Sequence, residues 1–253
     1  MPEQPILRVS GLSMAFGGLL ALRRVDMEVY QGEIVGLIGP NGAGKTTLFN
    51  AISGFLVPTE GDVFFQGRRI TGQPPYRLAR AGIARTFQIV RPFPQLTVLE
   101  NVMVAAFLVH RSRADAERAA WRVLEWTSLA ERATSPAREL TLAGRKRLEV
   151  ARALALEPRL LLLDEVVAGL NPSEADVMVE LIRDIRDRGI TVVAVEHIMR
   201  VIMRISDRIV VLNHGQKIAE GPPAKVAEDP TVIEAYLGAA IKVGERADLQ
   251  HAP

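Results

Sequence analysis

The segment LIGPNGAGKTTL, residues 37–48, decides how the chain is read. Gly39, Gly42 and Gly44 permit positive φ and let backbone N–H groups approach a ligand that a Cβ would hold off. With Pro40, Asn41 and Ala43 between them, they build a loop suited to cradling an anion. IVGLI before the loop reads as a buried strand. KTTLFNAIS after it reads as a helix, whose N-terminal amides and dipole both favour a phosphate. In this pattern Lys45 meets the β- and γ-phosphates and Thr46 offers its hydroxyl to Mg2+, with Thr47 next to it at the helix start. The motif in its strand–helix setting predicts a bound nucleotide.

Composition narrows the rest. A chain of 253 residues with 48% apolar content suffices for one large α/β domain, or a main domain carrying a smaller one. Thirty-one Lys and Arg against 29 Asp and Glu leave a formal charge of +2, too balanced to point to a nucleic-acid partner. There is no cysteine, which excludes disulfides and Cys-based metal sites and is compatible with a reducing compartment. VMVAAFLV at 102–109 and LLLL at 160–163 fall well short of the ~18 apolar residues that suggest a membrane span. MPEQPILRVS at the start lacks a basic segment followed by an apolar one, so no secretion signal is expected. The expectation is a soluble chain that reaches a membrane only through a partner.

Along the chain, ILRV, SMAF and RRVDMEVY read as short strands and turns, and GDVFFQGRRI adds another. PPYRLARAGIAR reads as helical. DAERAAWRVLEWTSL repeats its small and apolar residues at helical spacing, with SRAD upstream as a capping box. Pro92 and Pro94 break any regular element between these two helices. NPSEADVMVELIRDIRDRG places Asn171 at an N-cap, Pro172 at the first helical position and Gly189 at the stop. ITVVAV then reads as a fully buried strand, so strand, helix, strand recur as in a parallel sheet. RIVVLNHGQKIAEG reads as a hairpin turning at His214–Gly215.

A second nucleotide signal is LLLLDE. Its four leucines put Asp164 and Glu165 at the end of a buried strand, where open α/β sheets present their ligand crevice. Asp164 suits Mg2+ held through water, and Glu165 suits a general base for the attacking water. His197 follows another such strand, at the same sheet edge.

GPNGAGKTT, TFQ at 86–88, LTLAGRKRLEVARAL at 140–154, LLLLDE, AGLNP at 168–172 and VEH at 195–197 stand in the order and approximate spacing of ATP-binding cassette (ABC) transporter ATPases. The chain resembles that family over residues 5–240. The resemblance implies a P-loop NTPase, RecA-like α/β core with a mainly parallel sheet, an N-terminal antiparallel β subdomain and an inserted α-helical subdomain. It implies residues 1–90 for the β subdomain and first part of the core, 91–150 for the helical subdomain, 151–240 for the second part of the core and 241–253 for a tail. It further implies that Phe16 stacks on adenine, that Gln88 touches Mg2+ and the attacking water while linking the site to the membrane partner, and that His197 contacts the γ-phosphate.

Family members work as head-to-tail dimers in which each ATP lies between the phosphate loop of one subunit and the signature motif of the other. Here the usual LSGGQ reads LTLAG. Thr141 keeps a hydroxyl, Ala143 adds a methyl where glycine is usual, and Gly144 lacks the amide side chain. Asn171 replaces an aspartate and Val166 a proline. These departures lead to the expectation that this signature completes a weaker site on a partner, such as a different ATPase subunit, while this chain's own loop sits in the stronger one; the dimer itself is expected to be a homodimer or a heterodimer with a second ABC ATPase subunit. GIARTFQIVRPFPQLTVLENV and KIAEGPPAKVAEDPTVIEAYLG are most similar to the ATPases of branched-chain amino acid importers. That likeness implies a transmembrane permease partner docking after Gln88, a solute-binding protein reached indirectly, and a peripheral place on the cytoplasmic face of the inner membrane. The alternatives are an ABC ATPase that remodels DNA or ribosomes, disfavoured by the missing coiled coil and second cassette, and an ATP-binding subunit that hydrolyses weakly. A GTPase or small-molecule kinase would share the phosphate loop but not the later motifs.

Overall fold

The apolar runs of the sequence become strands with two buried faces. The computed structural model describes residues 4–88 and 91–236. Strands β3 (Ile34–Ile38), β6 (Ile83–Arg85), β7 (Leu160–Asp164), β8 (Thr191–Val195), β9 (Arg208–Asn213) and β10 (Gln216–Gly221) form a sheet in the order β10-β9-β3-β8-β7-β6. Every neighbouring pair is parallel except β9 and β10. Ile34 and Ile38 of β3, with Leu161 and Leu163 of β7, face one core. Val35 and Leu37, with Leu160 and Leu162, face a second core on the other side. Successive side chains of a strand point to opposite faces, so a strand covered on both sides reads as one unbroken apolar run. Leu161→Ala would cost about 2–5 kcal/mol at such a site.

The second core is closed by an antiparallel sheet of β1 (Leu7–Phe16), β2 (Leu19–Val29), β4 (Glu60–Phe65) and β5 (Arg68–Arg69), ordered β2-β1-β4-β5. Residues 7–29 are therefore two strands of 10 and 11 residues rather than several short ones. Their pairing shifts register between Val9 and Ala15, and such bulges bend a strand without ending it.

Helix α1 (Lys45–Ile52) follows the glycine loop, and α2 (Pro75–Ala81) ends where Gly82 turns left-handed at φ 104°. The expected helix PPYRLARAGIAR is thus corrected: Gly82 stops it, and Ile83–Arg85 becomes β6 because pairing with β7 gains more than another helical turn. Helices α3 (Val98–Ala106), α4 (Arg113–Trp126) and α5 (Leu142–Leu154) contribute residues to the first core. Thr97 and Glu100 cap α3 reciprocally. The SRAD segment is half a capping box: Ser112 accepts from the Asp115 amide, but Asp115 bonds the Ser112 hydroxyl and not the N-cap amide. The boundary expected at residue 150 falls inside α5, which runs on to Leu154 with Val150, Ala151 and Ala153 packed in the first core.

Helix α6 (Pro172–Asp187) starts at Asn171, whose side chain and that of Glu174 cap each other's amides, and it stops before Gly189. Helices α7 (Met199–Ile205), α8 (Pro223–Ala227) and 230–236 complete the described chain. The β9–β10 hairpin turns at His214 and Gly215, both at positive φ. The expected tail at 241–253, like Ile89 and Val90 of the expected docking stretch, lies outside the described residues. Among those described, no helix is long and apolar enough to cross a membrane.

Candidate active site

Four loops leave the same edge of the parallel sheet, each at the C-terminal end of a strand. The loop after β3 carries the glycine segment, that after β6 carries Gln88, that after β7 carries Glu165, and that after β8 carries His197. Parallel strands must present these ends together, so residues up to 158 positions apart in sequence (39 to 197) share one crevice.

Gly39 (φ 152°) passes so close to β9 that a Cβ would lie 2.1 Å from the Leu212 carbonyl oxygen, and one on Gly44 (φ 104°) would lie 2.8 Å from the Ala21 oxygen. Only glycine allows the backbone through both gaps. Lys45 Nζ donates to the carbonyls of Gly39 (2.7 Å) and Pro40 (3.1 Å), which holds the ammonium across the mouth of the loop. Burial lowers its pKa, against the opposing pull of Glu165 and Asp164. Asn41 and Gly42 are exposed, whereas Ala43 packs into the second core and its amide bonds Pro40. Thr46 is exposed and Thr47 half-buried in the first turn of α1. Phe16, 47% exposed, ends β1 at the turn into β2.

Asp164 is buried at the end of β7, and Glu165 follows it in a left-handed conformation (φ 50°) that is costly for a residue with a Cβ. Its amide donates to the Val195 carbonyl of β8 at 2.9 Å, fixing the acid between two strands. Gln88 Nε2 donates to Glu165 Oε2 at 2.7 Å, and His197 Nδ1 lies 3.8 Å from Oε1. The structure therefore brings Gln88, Glu165 and His197 into one group, with His197 on the open side.

Thr141 is exposed at the N-cap of α5, where its hydroxyl accepts from the Gly144 amide at 3.2 Å. Ala143 is helical and buried, and it lines a small pocket with Leu170, Val177 and Met178 of its own chain. The alanine backbone is helical and not at positive φ, so the added methyl strains no backbone angle. Gly144 is likewise inside α5 and buried.

Several residues to which the sequence motifs assign no role support the site. Lys146 of α5 reaches the Glu165 carbonyl (2.8 Å) and the Gln88 carbonyl (3.5 Å). Burial lowers its pKa, partly offset by Glu196, Glu165, Asp164 and Glu149. Glu196 is buried, accepts from the Val167 amide, and is pushed up to about 7, chiefly by burial. Gly215 of the hairpin turn donates to the Ala43 carbonyl and accepts from the Arg23 amide, tying the phosphate loop to β2. Burial raises the Tyr236 pKa, and a hydrogen bond from the Gly39 backbone opposes that rise. The signals for these residues lie in tertiary contacts and not in any local pattern.

Fold and site define a P-loop ATPase of the cassette type. A profile of the ABC transporter family matches residues 22–168, and one described as branched-chain amino acid ATP-binding cassette transporter matches residues 216–242. The chain is 44% identical to the high-affinity branched-chain amino acid transport ATP-binding protein BraF of Pseudomonas aeruginosa, over 94% of this chain and all of BraF. Among solved structures it is similar to a nucleotide-free ATP-binding cassette from an ABC transporter, with TM-score 0.85, 33% identity, and coverage of 92% of this chain and 99% of that one. A dimeric post-hydrolysis ATP-binding cassette bound to ADP and Pi gives TM-score 0.77 and 27% identity over 86% of this chain and 98% of that one. The chain belongs to the ABC transporter ATP-binding family and is an ATPase of that family.

Proposed function

We propose that the chain is the ATP-hydrolysing subunit of an importer for branched-chain or related amino acids, acting as a peripheral subunit on the cytoplasmic face of the inner membrane. The observation that carries the reading is the Gln88–Glu165 pair beside the Lys45 loop. It joins a candidate general base to a phosphate cradle and to the segment that follows β6. In this reading Lys45 and the loop amides hold the triphosphate, Phe16 stacks on adenine, Glu165 takes a proton from water, Gln88 orients that water, and His197 faces the γ-phosphate.

The donor set suits Mg2+. Among the described residues no group of three or more His, Cys, Asp or Glu could hold a metal, so there is no all-protein cage. The Thr46 hydroxyl, one Asp164 oxygen and Gln88 fit an ion that keeps waters and leans on phosphate oxygens. When bound, the ion would neutralise charge on the β- and γ-phosphates.

A groove of about 230 Å³ beside the site is lined by Phe55, Tyr76, Leu78, Ile83, Phe87 and Leu156. Its exposed aromatic residues, next to Gln88, suit a short helix of a permease. Thr141 and the start of α5 would complete the site of a second ATPase subunit. The branched-chain solute is supported by the likeness to BraF and by the profile on residues 216–242. The test is reconstitution with the permease and binding protein in vesicles: ATP-dependent leucine uptake that Glu165→Gln abolishes is expected, and ATP turnover without uptake of any branched-chain amino acid would refute the solute reading.

A further inference from the structure

Arg85, the last residue of β6, belongs to none of the nucleotide motifs. Its side chain is 7% exposed and faces that of Asp164, which is 5% exposed. The guanidinium donates to Asp164 Oδ2 (2.9 Å), Asn50 Oδ1 (2.6 Å) and Ser53 Oγ (2.9 Å). Asn50 belongs to α1 and Ser53 caps its end, so one cation links the helix that starts at Lys45 to the acid at the end of β7. The rings of Phe49, Phe55 and Phe87 surround it, with centroids 5.6, 5.7 and 5.4 Å from its central carbon. Phe55 and Phe87 meet edge to face at 5.6 Å, and they are 50% and 42% exposed on the wall of the groove.

The residues after Arg85 alternate between the groove and the acids. Thr86 Oγ1 accepts from the Asp164 amide at 3.0 Å, Phe87 lines the groove, and Gln88 bonds Glu165. A buried ion pair contributes little net stability, but a planar guanidinium fixes the direction of the carboxylate it bonds. The side chain that directs Asp164 is thus itself packed by the walls of a surface groove.

We propose that Arg85 is a positioning residue that orients Asp164 toward Mg2+ and makes that orientation depend on what fills the aromatic groove. The dependence on the groove rests on the permease-docking reading above; the orientation of Asp164 does not. Lysine at position 85 keeps the charge but has no planar fork, so it cannot hold Asp164, Asn50 and Ser53 together.

The full-length chain is titrated with Mg2+ while binding of a fluorescent ATP analogue is followed, with folding checked by circular dichroism. Hydrogen bonds to charged groups are worth ~1.5–3 kcal/mol, so Arg85→Lys should raise the half-saturating Mg2+ concentration about tenfold. Metal-free nucleotide affinity, carried by the phosphate loop, should change less than about twofold. Phe55→Leu, an exposed change that leaves Arg85 in place, should raise the Mg2+ requirement about threefold through loss of one cation–π partner. An unchanged Mg2+ requirement in folded Arg85→Lys and Phe55→Leu, or in Phe55→Leu alone should the other not fold, overturns the positioning role. Equal losses of metal-free and metal-dependent binding overturn it as well. In the assembled transporter the wild-type Mg2+ requirement should shift on permease binding and that of Phe55→Leu should shift less; equal shifts overturn the coupling. Failure of the permease to copurify with the wild-type chain would refute the docking reading and the coupling with it, while the titration of the isolated chain still decides the role of Arg85.

Discussion

The ammonium of Lys146 lies 2.8 Å from the backbone carbonyl oxygen of Glu165, so the signature helix α5 holds the peptide of the candidate base from beneath. Glu165 sits at φ 50°, and a left-handed non-glycine residue costs on the order of 1–3 kcal/mol unless its surroundings impose it. Lys146 supplies part of that restraint and also touches the Gln88 carbonyl.

Lys146→Met should therefore lower turnover more than nucleotide binding. Losing one hydrogen bond from a charged donor, ~1.5–3 kcal/mol, corresponds to about a tenfold fall in kcat. Steady-state ATPase assays beside nucleotide-binding titrations check this, and Lys146→Arg should recover part of the rate by restoring a cationic donor.

Glu165→Gln removes the proposed proton acceptor while keeping the Oε1 acceptor and the backbone contacts to Val195 and Lys146. General-base catalysis is worth about 10²–10⁴, so kcat should fall by that factor while MgATP affinity stays within about threefold. Single-turnover hydrolysis measured beside equilibrium binding separates the two.

Glu196 gives a stability that depends on pH. Its pKa is raised from 4.5 to about 7, mainly by burial. Between these values the folded chain binds more protons than the unfolded chain, so this group's contribution to stability is greatest at and below pH 4.5 and declines as pH rises through 7. Glu196→Gln removes the buried charge and keeps an acceptor for the Val167 amide. It should match wild type near pH 5 and exceed it at pH 8, by up to about 3 kcal/mol. Urea melts of both proteins at the two pH values check the sign.

Asn101 of α3 is fully buried and holds the turn before that helix: Oδ1 accepts from the Phe93 amide at 2.8 Å, and Nδ2 donates to the carbonyls of Phe93, Leu96 and Thr97. Asn101→Ala would leave the Phe93 amide without its acceptor, at about 1–3 kcal/mol, while the three carbonyls keep backbone donors from Leu96, Ala137 and residue 101. A fall in Tm of about 5–10 °C is expected by thermal melting, since 1 kcal/mol moves Tm by about 2–4 °C at this size.

The glycine loop, the Asp164–Glu165 ending of β7, the Asn171 cap and the His214–Gly215 turn were readable in sequence because each is set by residues within a few positions. Backbone freedom, strand periodicity and capping act locally, so residue type and spacing suffice to predict them. The class of fold followed from the family resemblance that the ordered motifs carry. PPYRLARAGIAR misled because the same residues can continue a helix or pair with a strand 77 positions on, as Ile83 does with Leu160, and only the partner decides. The motifs assigned no role to Arg85, Lys146, Glu196 or Tyr236, although Lys146 and Glu196 stand inside two of them: a charged or polar side chain looks the same in sequence whether it faces water or is folded against an acid, a carbonyl or a ring. Sequence thus determined what each loop can hold, through the chemistry of neighbouring residues. Only the tertiary structure decided which distant side chains orient those loops, because burial and pairing arise when separate segments exclude water together.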